Sequence, residues 1–158
     1  MQQDNSQIKQ VQFANAKLFP EIVKLLNEGH TVTLRLRGNS MRPFLEDNRD
    51  RAMLVKASRL QKGDPVLAEI SPGHYVLHRI INIKNDQVTL RGDGNLSNEY
   101  CKVSDVKASI IGFYRKGRDT MDYTDGWKWR IYSYIWTRLY PIRRYLLAIY
   151  RRVYPFIK

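Results

Sequence analysis

A serine stands at the end of a short predicted strand, in the segment Gly38-Asn39-Ser40-Met41-Arg42-Pro43-Phe44-Leu45. Residues 31–37 alternate apolar and polar side chains, which predicts a half-buried strand that ends at Gly38. Glycine and proline flank the hydroxyl, so the backbone around Ser40 is irregular. A serine in such a turn is either an exposed nucleophile or an ordinary turn residue, and the local chemistry leaves both interpretations open.

A histidine and an aspartate further along the chain have the chemistry that a serine nucleophile requires of its partners. His78 lies within a strand predicted over residues 75–84, and Asp93 lies in the turn sequence at residues 92–95. A neutral imidazole can accept the serine proton near pH 7, and an aspartate can orient the imidazole. In isolation, His78 also fits a core histidine and Asp93 a turn-capping residue.

Four short motifs, taken in order, resemble the superfamily that contains type I signal peptidases and LexA-like self-cleaving repressors. They are Gly-x-Ser-Met-x-Pro-x-Leu at 38–45, Lys-Gly-Asp-Pro-Val at 62–66, Val-Leu-His-Arg-Ile-Ile at 76–81 and Leu-Arg-Gly-Asp-Gly-Asn at 90–95. The combination of His78 with Asp93 is similar to the branch typified by the signal peptidase of the endoplasmic reticulum. The resemblance covers about residues 31–115. It implies that Ser40 attacks, His78 acts as the base and Asp93 orients the imidazole.

The resemblance also implies roles for the residues around Ser40. The Ser40 backbone N–H is the expected oxyanion donor. Gly38 stands where some relatives carry a hydroxyl, Met41 is expected to pack beneath the serine or line the cleft, and Pro43 is expected to fix the turn. No metal or cofactor is expected, because one cysteine and three scattered histidines do not form a metal-binding motif.

Short strands separated by turn sequences predict a mainly β fold. A short helix is predicted over residues 20–28, and further strands over 52–57, 65–70, 75–84, 87–90 and 106–114. The resemblance implies a small coiled antiparallel β-barrel or sandwich of the LexA/signal-peptidase type, with the serine at its rim.

The chain of 158 residues fits one domain with extensions. We divide it into a flexible start at 1–12, a signal-peptidase-like catalytic β domain at 13–118 and a basic, aromatic, amphipathic helical tail at 119–158. The sequence shows no secretory signal peptide and no apolar run long enough to cross a bilayer, unlike the anchored signal peptidases that it resembles. The single cysteine fits a reducing compartment.

The tail combines positive charge with aromatic rings. Residues 126–158 contain eight basic residues, no acidic residue, all three tryptophans and six of the ten tyrosines. Apolar residues spaced by three and four predict one stripe of a helix, formed by Ile131, Ile135, Leu139, Ile142, Leu146, Ile149 and Val153.

Three interpretations of this tail remain: an interfacial membrane helix, a helix packed on the β domain, and a nucleic-acid-binding segment. We favour the membrane and disfavour nucleic acid, because the aromatic residues lie in an apolar stripe rather than on a β-sheet platform. The net charge of +12 favours an anionic partner. The expected location is cytoplasmic, at the inner face of the membrane. The residues expected to contact the membrane are Trp127, Trp129, Arg130, Trp136, Arg143, Arg144, Arg151 and Arg152.

The expected function is that of a serine endopeptidase that cleaves a peptide or a membrane-associated protein through an acyl-enzyme. The alternative is a non-catalytic binding or regulatory module on the same fold. LexA-like repressors carry an N-terminal helix-turn-helix domain, for which the segment before Thr31 is too short, so sequence-specific DNA binding is disfavoured. The sequence leaves the oligomeric state open.

Overall fold

A computed structural model describes residues 17–157. Within this range, eight antiparallel strands form one sheet with three helices, which confirms the prediction of a mainly β fold. The predicted flexible start at 1–12 lies outside the described residues. The helices are α1 (17–27), α2 (Trp127–Arg138) and α3 (Arg143–Ile157). The strands are β1 (Val32–Arg35), β2 (Arg51–Lys56), β3 (Pro65–Ser71), β4 (His74–Lys84), β5 (Gln87–Arg91), β6 (Glu99–Lys102), β7 (Val106–Tyr114) and β8 (Met121–Tyr123).

The strand order is β1-β2-β7-β3-β4-β5-β6, and β8 pairs with the end of β7. Strand β7 is central because it pairs with β2 along one edge and with β3 and then β8 along the other. Among residues 17–157, no ladder joins β1 to β6, so the sheet is not closed, and a closed barrel is excluded from the expected alternatives of barrel and sandwich. Both end strands have only four residues, which limits the edge that a closing ladder could use.

Side chains that alternate along β3 build two hydrophobic clusters on opposite faces of the sheet. Leu67 packs with α1, β2 and β7 in the first cluster, which also contains Phe113. Its neighbours Val66 and Ala68 pack with residues of β4, β5 and β6 in the second cluster. Strand β3 is therefore buried on both faces and fixes β4, the strand that carries His78.

The tail is helical, as predicted, and a 3₁₀ turn that contains Pro141 separates α2 from α3. Strand β8 also belongs to the segment predicted as the tail. The helices pack on the sheet through Trp129 and Trp136 of α2 and through Leu147 of α3, all nearly inaccessible to solvent. No helix of the described residues is both long enough and apolar enough to cross a bilayer.

The residues of the tail that pack on the sheet are not those of the apolar stripe, most of which are exposed. Trp129, Trp136 and Arg143 were expected to contact a membrane, but they are only 4%, 8% and 1% exposed, and this expectation is corrected. The indole rings fill the space beside Phe44 and above Asp93, whereas an isoleucine offers neither an aromatic face nor an N–H donor there. Of the other residues expected at the membrane, these remain exposed: Trp127, Arg130, Arg144, Arg151 and Arg152.

Candidate active site

Ser40 lies in the turn that connects β1 to β2. Gly38 adopts a φ of +88°, which favours glycine, and its N–H donates a hydrogen bond to Oδ1 of Asp47 at 2.7 Å. The buried side chains of Met41 and Leu45 anchor the turn from below. Since the Gly38 N–H is bound, it does not point into a reaction site. The Ser40 N–H donates no hydrogen bond to another described residue and remains available.

Pro43 is half-buried in this turn, and Phe44 follows it into the protein. The Phe44 ring packs on Trp129 and Tyr132 of α2, with centroid distances of 4.7 and 4.6 Å. The carbonyl of Phe44 accepts a hydrogen bond from Arg115 at 3.0 Å. The segment after the serine is thus fixed by contacts with α2 and with the chain beyond β7.

Ser40 and His78 line the same cleft, which has a volume of about 130 Å³. One wall is formed by the end of the β1 segment and the other by residues 75–78 of β4. Ser40 is half-buried, and the side chain of His78 is only 4% exposed. Among the described residues, no hydrogen bond joins the Ser40 hydroxyl to the imidazole.

The turn at residues 92–95 packs directly against both groups. The Gly94 N–H donates a hydrogen bond to the Ser40 carbonyl at 2.7 Å. A Cβ atom added to Gly92 would lie 2.3 Å from that carbonyl oxygen and 3.0 Å from Nε2 of His78. Because Gly92 and Gly94 lack side chains, the motifs at 38–45, 76–81 and 90–95 meet in one place.

The other nitrogen of His78 contacts a glutamate. Nδ1 lies 2.5 Å from Oε2 of Glu99 in β6, a close contact that does not have hydrogen-bond geometry, and neither atom has a hydrogen-bond partner within residues 17–157. Burial lowers the pKa of His78 below its ordinary 6.5 and outweighs the opposing charge of Glu99. The imidazole is therefore neutral at pH 7, which is the form that accepts a proton.

Asp93 binds Arg79 instead of the imidazole. Its Oδ1 accepts a hydrogen bond from Nε of Arg79 at 2.8 Å, and its Oδ2 accepts from Nη2 at 2.7 Å and from the Tyr132 hydroxyl at 2.9 Å. The expectation that Asp93 orients His78 is corrected. Successive residues of β4 point to opposite faces, and Asp93 lies on the face of Arg79, where both side chains are fully buried.

Helix α2 covers this ion pair and completes its hydrogen bonds. The Trp136 indole N–H donates to the Asp93 carbonyl at 2.9 Å, and the Ser133 hydroxyl contacts the Arg79 guanidinium. Burial acts to lower the pKa of Arg79, but the charge and hydrogen bonds of Asp93 outweigh it, so this pKa is raised. Burial and the charge of Asp93 raise the pKa of Tyr132, which keeps its hydroxyl a donor.

Helix α3 contacts the other side of the Ser40 turn. The Tyr150 hydroxyl donates a hydrogen bond to Glu46, and Nη2 of Arg42 lies 2.9 Å from the same carboxylate. The Arg42 guanidinium also lies 5.0 Å from the centroid of the Tyr154 ring. Both helices of the tail therefore support the backbone that carries Ser40, through Asp93 on one side and Glu46 on the other.

Comparison with models of known protein families finds no match, and no curated protein is significantly similar in sequence. Within the described part of the chain, no group of three or more histidine, cysteine, aspartate or glutamate side chains is placed to hold a metal ion.

Proposed function

We propose that this chain is a serine endopeptidase of the LexA/signal-peptidase type. The observation that carries the proposal is the shared cleft of Ser40 and His78, with the turn at 92–95 packed against both. A serine hydroxyl is a weak nucleophile near pH 7 and needs a base within reach. A buried, neutral imidazole is suited to that role.

The proposed reaction begins when Oγ of Ser40 attacks the substrate carbonyl while Nε2 of His78 accepts the hydroxyl proton. Glu99 stabilises the resulting imidazolium through Nδ1 and keeps the ring in one orientation. The Ser40 N–H binds the oxyanion. His78 then gives the proton to the leaving amine, and a water molecule, activated by the same imidazole, hydrolyses the acyl-enzyme.

Two unpaired strand edges support an extended peptide as the substrate. Within residues 17–157, strand β1 pairs with β2 alone. Residues 75–78 of β4 pair with β3 on one side, while β5 begins its pairing with β4 at Arg79. Residues 36–38, which follow β1 directly, and residues 75–78 of β4 border the cleft, so a peptide can add beside either segment through main-chain hydrogen bonds.

The cleft favours a small apolar side chain beside the cleaved bond. Its volume is about 130 Å³, and six of the eleven residues that line it are apolar. Small residues at this position are also what the family resemblance implies. The apolar lining is formed by Leu36, Met41, Leu45, Tyr75, Val76 and Leu77.

The alternative is a peptide-binding module without turnover, favoured by the lack of a hydrogen bond between Ser40 and His78 within the described residues. Incubation with a peptide library and mass spectrometry of the products separates the two. Ser40→Ala and His78→Ala should each abolish cleavage, and the double variant should be no worse than either, because the pair acts as a unit. The exposed His30 provides the control variant His30→Ala, which should cleave normally. Peptide binding without cleavage by the unaltered chain would favour the binding module.

A further inference from the structure

Helices α2 and α3 each present two different faces. The inner faces pack on the protein through aromatic and aliphatic side chains such as Trp129, Trp136 and Leu147. The opposite sides of the same helices carry a second set of large apolar residues, here called the outer face. The outer face consists of Trp127, Ile131, Tyr134 and Ile135 of α2, Ile142, and Tyr145, Ile149, Val153 and Phe156 of α3.

The outer face is exposed to a degree that is unusual for such residues. Every member is at least 42% exposed, and Trp127 and Phe156 reach 70% and 87%. They recur on successive turns at intervals of three and four, so each helix carries a continuous apolar strip. Exposed apolar strips of this kind mark surfaces that bind a partner or a membrane.

Charge decides which occupant fits. Six exposed basic residues belong to the same two helices, and residues 126–158 contain no acidic residue. A second copy of the same face would bring like charges together, which disfavours self-association. Anionic lipid headgroups match both the charge and the apolar strip. The six basic residues are Lys128, Arg130, Arg138, Arg144, Arg151 and Arg152.

We infer that the outer face docks this protein on an anionic lipid surface, with the isoleucines and aromatic rings at the headgroup boundary. Tryptophan and tyrosine are suited to that boundary because each has an apolar ring and a polar atom. The Arg138 guanidinium lies 4.3 Å from the Tyr134 ring centroid, so it can follow the ring to the headgroups.

Docking would hold the cleft at a fixed height above the lipid, since the inner faces of the same helices contact Asp93 and Glu46. The Ser40 turn cannot move far from the surface to which α2 and α3 bind. Substrates attached to the same membrane would be favoured over free peptides. The docking itself does not depend on peptidase activity and is tested without it.

Vesicle flotation with the full-length protein tests the inference. Phosphatidylcholine vesicles with part of the lipid replaced by phosphatidylglycerol should carry the protein upward, while phosphatidylcholine alone should bind it much less. High salt should release part of the bound protein. Ile131→Ser and Ile149→Ser should each lower the partition coefficient about tenfold, whereas Leu96→Ser, an exposed leucine outside the tail, should leave it unchanged.

A second pair of variants tests whether the basic residues of the tail contribute to vesicle binding. Arg144→Gln with Arg152→Gln should weaken binding to anionic vesicles by roughly 25-fold, at about fivefold per arginine. Lys56→Gln with Arg59→Gln removes the same charge from exposed positions on the sheet side and should have little effect. The inference is overturned if the full-length protein ignores anionic vesicles at low salt. It is also overturned if analytical sedimentation shows that the protein is a dimer and that Ile131→Ser and Ile149→Ser each convert it to a monomer.

Discussion

His78 and Glu99 meet across β5, with Nδ1 of the imidazole 2.5 Å from Oε2 of the carboxylate. On the other face of β4, Asp93 is bound by Arg79 and by Tyr132. The two acidic residues near the proposed base thus have separate tasks. Glu99 contacts the imidazole. Asp93 neutralises the buried guanidinium of Arg79 and links the turn at 92–95 to α2 through Tyr132.

Glu99→Gln should lower kcat by about 10²- to 10⁴-fold without unfolding the protein, because an amide cannot stabilise the imidazolium. The charge of Glu99 opposes the lowering of the His78 pKa, so its loss should also move the acidic limb of the pH–rate profile to lower pH. The exposed Glu28→Gln is the control. An unchanged kcat and an unchanged limb in Glu99→Gln would remove Glu99 from the mechanism.

Asp93→Asn should act mainly on stability. It leaves the buried Arg79 guanidinium without its counter-charge, which should lower the free energy of unfolding by about 3–5 kcal/mol in urea denaturation. Asp122→Asn is a matched control, since its partners Arg115 and Arg118 lie 3.5 Å away at a partly exposed site, and it should cost under about 1 kcal/mol. If Asp93→Asn kept full stability and lost only kcat, Asp93 would belong to the catalytic group.

The pKa of His78, lowered by burial, predicts where activity is lost in acid. The acidic limb of kcat/KM should be centred below pH 6.5, because the imidazole must stay neutral to accept the serine proton. A limb centred above pH 6.5 would contradict this assignment.

The same shift makes stability depend on pH. The unfolded chain binds a proton to His78 at a higher pH than the folded protein does, so stability should fall as pH drops from 6.5 through the folded pKa. Urea unfolding at several pH values measures this effect. His78→Gln should flatten the curve in that range, while His30→Gln should not.

Gly92→Ala should abolish peptidase activity, because its Cβ would lie 2.3 Å from the carbonyl oxygen of Ser40 and displace the nucleophile. Gly112→Ala is also crowded, but its nearest neighbour is the flexible side chain of Met121. This control should retain activity. Peptide-cleavage rates for the two variants, with circular dichroism to show that both fold, provide the measurement. Full activity in Gly92→Ala would mean that the turn does not support Ser40.

The sequence pattern was sufficient to predict the positions of the strands in which apolar and polar residues alternate. Strand β7 spans Val106–Tyr114, as predicted, and β4 begins at His74, one residue before the predicted start. Strands β6 and β8 were not predicted, since Glu-Tyr-Cys-Lys and Met-Asp-Tyr carry no clear alternation. Both strands exist because β5 and β7 offer them unpaired edges.

The partner of His78 could not be predicted from spacing alone. His78 and Arg79 are adjacent buried residues on opposite faces of β4, so the guanidinium needs a counter-charge and the imidazole needs polar partners. Asp93 and Glu99 both follow within a short distance, but only the fold determines which of them reaches which face. The adjacent His78 and Arg79 in a buried strand were the available signal that polar partners are needed on both faces.

For the tail, the sequence predicted the helix but not which of its faces packs on the protein. Periodicity predicted the helix, but two apolar sets run along it, one containing Ile131 and Ile135 and the other Trp129, Tyr132 and Trp136. Pattern alone does not say which set faces the protein. The aromatic set is buried because its indole N–H, hydroxyl and ring faces satisfy Asp93 and Arg79.

The central claim is that Ser40 is a nucleophile activated by His78. The most direct measurement treats the full-length protein with a serine-directed acylating reagent and maps the adduct by mass spectrometry. We expect a single adduct on Ser40, much slower labelling in His78→Ala, and none in Ser40→Ala. A folded, unaltered chain that remains unlabelled at Ser40, or an adduct that forms equally fast without His78, would contradict the claim.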